Sequence, residues 1–247
     1  MKKSPTLLAL AYAAALALLT ACGPDTTPGA TGGSKPQKNA GSDAKPNGIQ
    51  TRSTAEIYEA GTAANAHSGS FRERSKSTMS ESDVRVSATE CVGKVHLIKD
   101  EVGEIGGSFE IIQKNSDVWA KFDKGFSDWA KSEFAFPAEK WLHGTTSNRL
   151  MELVISHCDR KKITTPDKGD SYMKKGGAAV IDGVPVIQVT SQGSGGTATY
   201  SIATTGKPYL LKRDVDRAEQ STISYSEFGK LIDSKAPSGE IAEAPSR

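Results

Sequence analysis

GSFEIIQKNSDVWAKF, residues 107–122, is the stretch that decides the fold. Phe109 and Ile111 alternate with Glu110, Asn115-Ser116 has the composition of a tight turn, and Val118 to Phe122 begins a return strand. A period of two sends the apolar side chains to one face and the charged ones to the other, as in an antiparallel hairpin covered on one side. The pattern extends upstream: Val84, Val86 and Ala88 alternate with Arg85 and Ser87, and Cys91, Gly93, Val95 and Leu97 alternate with Lys94 and His96. Downstream of Gly176, four or five further runs between Ala178 and Phe228 are joined by Asp182-Gly183, Gly193-Ser194-Gly195-Gly196 and Gly206-Lys207-Pro208, which predicts a second meander.

Between the meanders the period changes. Asp123 to Phe136 holds Phe126, Trp129, Phe134 and Phe136, and Trp141 follows. Ser147 is placed to cap a helix in which Leu150, Val154 and Cys158 stand at i, i+4 and i+8 with Leu153 beside them. Ahead of the first meander, Thr54 as N-cap, Glu56 in the first turn and Ile57, Tyr58, Ala60 and Ala64 predict a helix to about Ala66. Strands and helices segregated in this way define an α+β domain.

The chain opens on Lys2-Lys3 and an apolar run from Leu7 to Leu19, too short to span a bilayer and the right length for a signal peptide. It closes on Leu19-Thr20-Ala21-Cys22, which resembles the lipobox of bacterial lipoproteins, where the thiol is acylated and the chain is cut before the Cys. The resemblance implies a leader at 1–21, lipid attachment at Cys22, and a partner in the membrane that the acyl chains enter. The place would be outside the cytoplasm, on the outer face of a cell membrane or on an outer membrane; Gly23 lacks the Asp that signals inner-membrane retention. Residues 22–53 read as a tether: from Gly23 to Ser53, 17 of 31 residues are Gly, Pro, Ser or Thr, and Ile49 is the one large apolar side chain. The folded domain is expected at 54–233, and 234–247 as a flexible tail.

The formal charge of +2 is carried by Lys2 and Lys3, so the mature chain holds 29 basic and 29 acidic residues and lacks the basic footprint of a nucleic-acid binder. There is no nucleophile elbow, P-loop or dinucleotide fingerprint, and Gly193 to Gly196 connects two strands with no helix to supply a dipole. His67, His96 and His143 have no metal-ligand spacing, and His157 and Cys158, as neighbours on a helix, face directions about 100° apart. The expectation is a protein that is not an enzyme and carries no metal and no cofactor. Once Cys22 is acylated two thiols remain; Cys91 shares a strand face with Val95, Cys158 lies on the apolar side of its helix, and a disulfide between them is expected in an exported protein. Two buried free thiols are the alternative.

Read in order, Gly107 to Ile112 with Asp117-Val118-Trp119, Val180 to Val186, Ala203 to Leu211 and Tyr225 to Lys230 resemble the bacterial lipoproteins of the LppX/LprG type, which share the LolA-like fold. The resemblance implies a curved antiparallel sheet, an open half-barrel, with helices packed on its concave face. Family members with known roles hold or move lipids between sheet and helices; the Cys91 and Cys158 pair departs from them. On this reading an apolar ligand would have Leu150, Leu153 and Val154 as one wall, Trp129, Phe134 and Trp141 as mouth or lid, and Phe109, Ile111 and Val118 as floor. The competing expectation is a domain of the same fold with a filled core, which presents its polar face to another envelope protein. A protein partner is not legible in the sequence.

Overall fold

The computed structural model describes residues 44–98, 106–131, 134–161, 172–193, 196–217 and 220–245. Among these, twelve strands form one sheet: β1 (Ser70–Ser77), β2 (Ser80–Ser87), β3 (Glu90–Leu97), β4 (Gly107–Lys114), β5 (Asp117–Phe122), β6 (Trp141–Thr145), β7 (Tyr172–Ile181), β8 (Val184–Gly193), β9 (Gly196–Ala203), β10 (Leu210–Arg217), β11 (Ser221–Ser226) and β12 (Ile241–Glu243). Three α-helices accompany them, α1 (Thr54–Ala66), α2 (Lys124–Ala130) and α3 (Arg149–Ile155). The strand order is β12-β6-β5-β4-β3-β2-β1-β11-β10-β9-β8-β7, so the sheet is two sequential meanders joined where the first strand of one pairs with the last strand of the other. Every pairing is antiparallel except β12 with β6, and the edges β12 and β7 do not pair, so the sheet is open. The expected α+β class with an unclosed, mostly antiparallel sheet is the one observed.

The register shows which side the helices occupy. Residues paired across strands share a face, and one row runs Phe122, Phe109, Val95, Ser82, Ser75, Ile223, Arg213, Tyr200, Val189. Phe126 of α2 meets Phe109 at a ring separation of 5.3 Å, and Tyr58 of α1 meets Tyr200 at 4.6 Å. Both helices therefore lie on the same face, called the inner face below. They serve opposite flanks: α2 and α3 lie on β4 and β5, α1 on β7 to β10, and the 3-10 turn Ser156–Cys158 on β2 in the middle. Two separate apolar clusters result. One gathers Val95, Phe109, Ile111, Val118, Phe122 and Leu142 with Leu150, Met151 and Val154; the other gathers Ile57, Tyr58, Phe71, Val86, Val189, Tyr200 and Ile202.

Local chemistry accounts for the helix positions. Ser53, not Thr54, caps α1: its hydroxyl accepts from the Glu56 amide while Glu56 Oε2 accepts from the Ser53 amide, a reciprocal capping box. Gly61 lets α1 settle on β9, because a Cβ there would come within 2.8 Å of Ile202 Cγ1. Asn65 near the end of the helix exchanges two hydrogen bonds with the backbone of Leu210, 3.0 and 3.1 Å, beside the irregularity between Leu210 and Lys212 where a side-chain amide replaces the missing ladder partner. Asp123 caps α2 through the Phe126 amide. The cap of α3 is Asn148 and not the expected Ser147; its Oδ1 accepts from Leu150 and Met151, and the helix gives way to the 3-10 turn before reaching Cys158.

Both ends of the domain differ from expectation. The expected tether, 22–53, is docked from Pro46: Pro46 bridges Thr205, the Asn47 amide nitrogen donates to the carbonyls of Ala203 and Gly206, and Ile49 is buried in a 3-10 turn. The one large apolar side chain of that segment is thus its point of attachment. The expected tail is structured over Ile241–Glu243 as β12, with Lys140 paired to Glu240 at 2.8 Å and Ser234 buried against Glu90. A sparse apolar content hid both segments, because each is held by backbone pairing and polar clamps. The leader at 1–21 and Cys22 lie outside the described residues.

Candidate functional site

The inner face of the sheet is where the sequence places a ligand, and the structure separates the nine expected lining residues into three groups. Phe109, Ile111, Val118, Phe134, Leu150 and Val154 come together in one cluster, all buried. Trp129 and Leu153 do not join it: they stand on the outward sides of α2 and α3, 41% and 50% exposed. For Leu153 the physical reason is helical spacing, since Leu150, Met151 and Val154 already take the stripe that faces the sheet. Trp141 is on the other side of the sheet altogether. It pairs with Lys121 in the outward set of β5, while its neighbour Leu142 is buried beside Ala120. Wall, lid and floor as the sequence suggests them are therefore not one surface. The sequence groups Trp141 with the aromatic insert because β6, at five residues, is too short to show its own alternation.

The disulfide is present in the structure. Cys91 and Cys158 are joined with a Cα–Cα distance of 5.9 Å, closing 67 residues. It ties the 3-10 turn to the middle of the sheet, and His157 is thereby held 5.7 Å from the Phe109 ring. Arg160, just beyond, donates to the Gly69 and Ala66 carbonyls and lies 5.8 Å over the Phe71 ring, a cation at the carbonyl end of α1.

Between the two clusters the inner face turns polar. On β1 the inward positions after Phe71 are Glu73, Ser75 and Ser77. Ser75 and Ser82 bond to each other at 2.8 Å. Glu73 sits between Val84 and Tyr225 in the ladder and is 8% exposed; its Oε2 has no hydrogen-bond partner. Burial pushes this carboxyl up to about 7, against the attraction of the Arg213 guanidinium. Burial likewise pushes the Tyr225 hydroxyl well above the ordinary phenol range, with the Glu73 charge acting in the same direction. The sequence pattern conceals this strand: SFRERSKS alternates, but with Glu and Ser where a core strand carries Val or Ile.

A third row, nearer one set of strand ends, carries the apolar surface that the clusters leave uncovered. Met173, Ser191, Ala198, Val215 and Ser221 pair in turn, Ser221 pairs with Ser77, and across the β1–β2 turn Ser80 pairs with Leu97. In this row Leu97, Val215 and Met173 are only half-buried. The opposite, outer face is ionic: Arg72 holds Asp83 and reaches Glu227, which Arg85 also holds at 2.8 Å, and these contacts keep both carboxyls below their ordinary range. A cavity of about 610 Å³ lies at the ends of β1, β9, β10 and β11, and its lining residues include Lys76, Thr199, Asp214 and Thr222. It contains none of the nine expected residues. Among the described residues no cluster of His, Cys, Asp and Glu has metal-binding geometry, and no helix is long and apolar enough to cross a membrane.

No family model matches the chain, and no curated protein matches it in sequence. Among solved structures, the Mycobacterium tuberculosis lipoprotein LppX aligns over 74% of this chain and 98% of its own, at 15% identity and a TM-score of 0.49. The structure is similar to that of LppX. An uncharacterized conserved protein of Thermus thermophilus aligns over 78% of this chain and 99% of its own, at 9% identity and a TM-score of 0.36. A LolA superfamily protein of Nitrosomonas europaea aligns over 74% and 94%, at 14% identity and a TM-score of 0.25.

Proposed function

We propose that this chain is an exported lipoprotein, held at a membrane surface by acylated Cys22, whose domain binds a lipid or another apolar ligand on the inner face of its sheet. The first half of the reading rests on Leu19-Thr20-Ala21-Cys22 after an apolar run. The observation that supports the second half is the half-buried row of Leu97, Val215 and Met173. A sheet that does not close needs apolar material against its inner face. The helices supply it on the flanks and leave this row short of cover. Each methylene of an alkyl chain laid there would contribute about 0.8 kcal/mol.

The test is native mass spectrometry with lipid extraction on the full chain, expressed in a bacterial host with its N-terminus intact. A non-covalently bound lipid near one per chain is the expected result; a chain with no lipid beyond the covalent acyl groups overturns ligand binding. A second reading has its own observation. Six of the nine expected lining residues are buried in a packed cluster, which favours an envelope interaction domain without a ligand, and a lipid-free chain would leave that reading standing.

A further inference from the structure

The inner face is apolar on both flanks and polar along β1, and the polar part includes a carboxyl with unmet hydrogen-bonding capacity. A strand in the middle of a twelve-stranded sheet, buried on this face, ordinarily carries branched aliphatic residues. β1 carries none after Phe71. Ser75 and Ser82 satisfy one another across the β1–β2 pairing, so those two positions are closed. Glu73 is not satisfied in this way: it is more than nine-tenths buried and its Oε2 accepts no hydrogen bond. Leaving a buried acceptor bare costs on the order of 1–3 kcal/mol, and more when it is charged. Such a group calls for a physical explanation, and a group from outside the chain that completes it is one.

The surroundings say what kind of group that is. Tyr225 stands opposite Glu73 in the ladder, and Arg213 stands on the same face one strand further on. Along β1 burial relaxes from Glu73 to Ser75 and Ser77, which are half-buried, and the half-buried aliphatic side chains Ile223 and Val215 lie beside them on β11 and β10. The side chains between the strand ends and Glu73 are therefore aliphatic on one side and hydroxyl-bearing on the other, and the series ends on a hydrogen-bond acceptor.

We propose that Glu73 is the polar anchor of a ligand site between the two apolar clusters, its Oε2 accepting a hydrogen bond from a hydroxyl group of a lipid whose alkyl part lies against Ile223 and Val215. This rests on the lipid-binding reading above and narrows it to hydroxyl-bearing lipids. Above pH 7, where the carboxyl is ionised and can only accept, an ether or ester oxygen at the same place would set lone pair against lone pair, whereas a hydroxyl supplies the missing hydrogen.

The experiment uses the full chain and two competitors with the same alkyl length, 1-hexadecanol and hexadecyl methyl ether, each displacing the fluorophore N-phenyl-1-naphthylamine. At a pH well above 7, with the carboxyl ionised, the wild-type chain should bind the alcohol about tenfold more tightly than the ether. Glu73→Met, similar in shape and without the oxygens, should bind both alike, and the alcohol more weakly than wild type does. Glu73→Gln keeps one acceptor oxygen and should show a reduced preference, to about threefold, which decides the matter if the Met variant fails to fold by circular dichroism. A wild-type chain indifferent to the head group, or variants that keep the full preference, would overturn the anchor while leaving lipid binding intact. Failure of both competitors and of the fluorophore to bind would overturn lipid binding itself, and the anchor with it.

Discussion

Glu73→Gln should make the chain more stable at neutral pH and remove one component of its pH dependence. The carboxyl is lifted from its ordinary 4.5 to about 7 by burial, so its neutral form is the one the fold accommodates. A raised acid contributes stability that is complete below pH 4.5 and is lost as pH climbs to about 7, because the unfolded chain gives up the proton first. At about 1.4 kcal/mol for each pH unit, the interval amounts to about 3 kcal/mol. The amide of the variant cannot ionise, so its stability minus that of wild type should be level below pH 4.5, rise by about 1.4 kcal/mol per pH unit, and level off near pH 7. Urea unfolding followed by far-ultraviolet circular dichroism between about pH 4 and pH 8, taken as two-state, measures this difference. Any fixed penalty or gain from the introduced amide shifts the curve up or down and leaves its slope alone. A difference that does not vary with pH would refute the reasoning, since it would mean Glu73 is solvated or paired in solution.

Cys22→Ser should abolish partition of the chain into detergent phase or block its processing; an equally membrane-bound and correctly cut variant would sink the lipoprotein proposal. Replacing both Cys91 and Cys158 by Ser should lower the unfolding free energy by about 4 kcal/mol in the chain-entropy model, read from denaturant midpoints, and unreduced wild type should titrate no free thiol from this pair. Limited proteolysis should stall near residue 44 and not near 54, because Asn47 and Ile49 are docked; rapid cleavage after Arg52 would contradict that docking. Leu153→Trp should be nearly neutral for stability, within about 0.5 kcal/mol, since the side chain is half exposed, whereas Leu142→Ala in the cluster should cost about 2–5 kcal/mol by thermal or urea melts.

What can be read in advance follows the strength of the periodic signal. The β4–β5 hairpin is legible because Phe109, Ile111 and Val118 alternate cleanly with charged residues, and the observed register pairs Phe109 with Phe122 across the turn at Asn115. Cys91 and Cys158 are legible as a pair because each lies on the apolar side of its own element. β1 is not, since its inward positions are polar for reasons that exist only once the two flanks are assembled. β12 is invisible for a different reason: three residues in parallel pairing carry no pattern of their own. The candidate site is the least legible part, because the direction of Trp141 depends on a strand the sequence does not announce, and that of Leu153 on which of its neighbouring apolar residues the helix turns inward.

The strand order also has a bearing on how the chain acquires its structure. Each meander is built from neighbours in sequence, and such local pairing forms quickly. The junction between them is another matter, since β1 meets β11 from the far end of the domain, with Arg72 opposite Ser226 and Ser77 opposite Ser221. α1 precedes β1 in the chain and yet packs mainly on β7 to β10, so most of the surface on which the first helix rests is missing until the last long strands are made. Synthesis from the N-terminus thus leaves the first meander with its β1 edge bare and its leading helix short of its main support, and chaperones that guard exposed edges would have this interval in which to act.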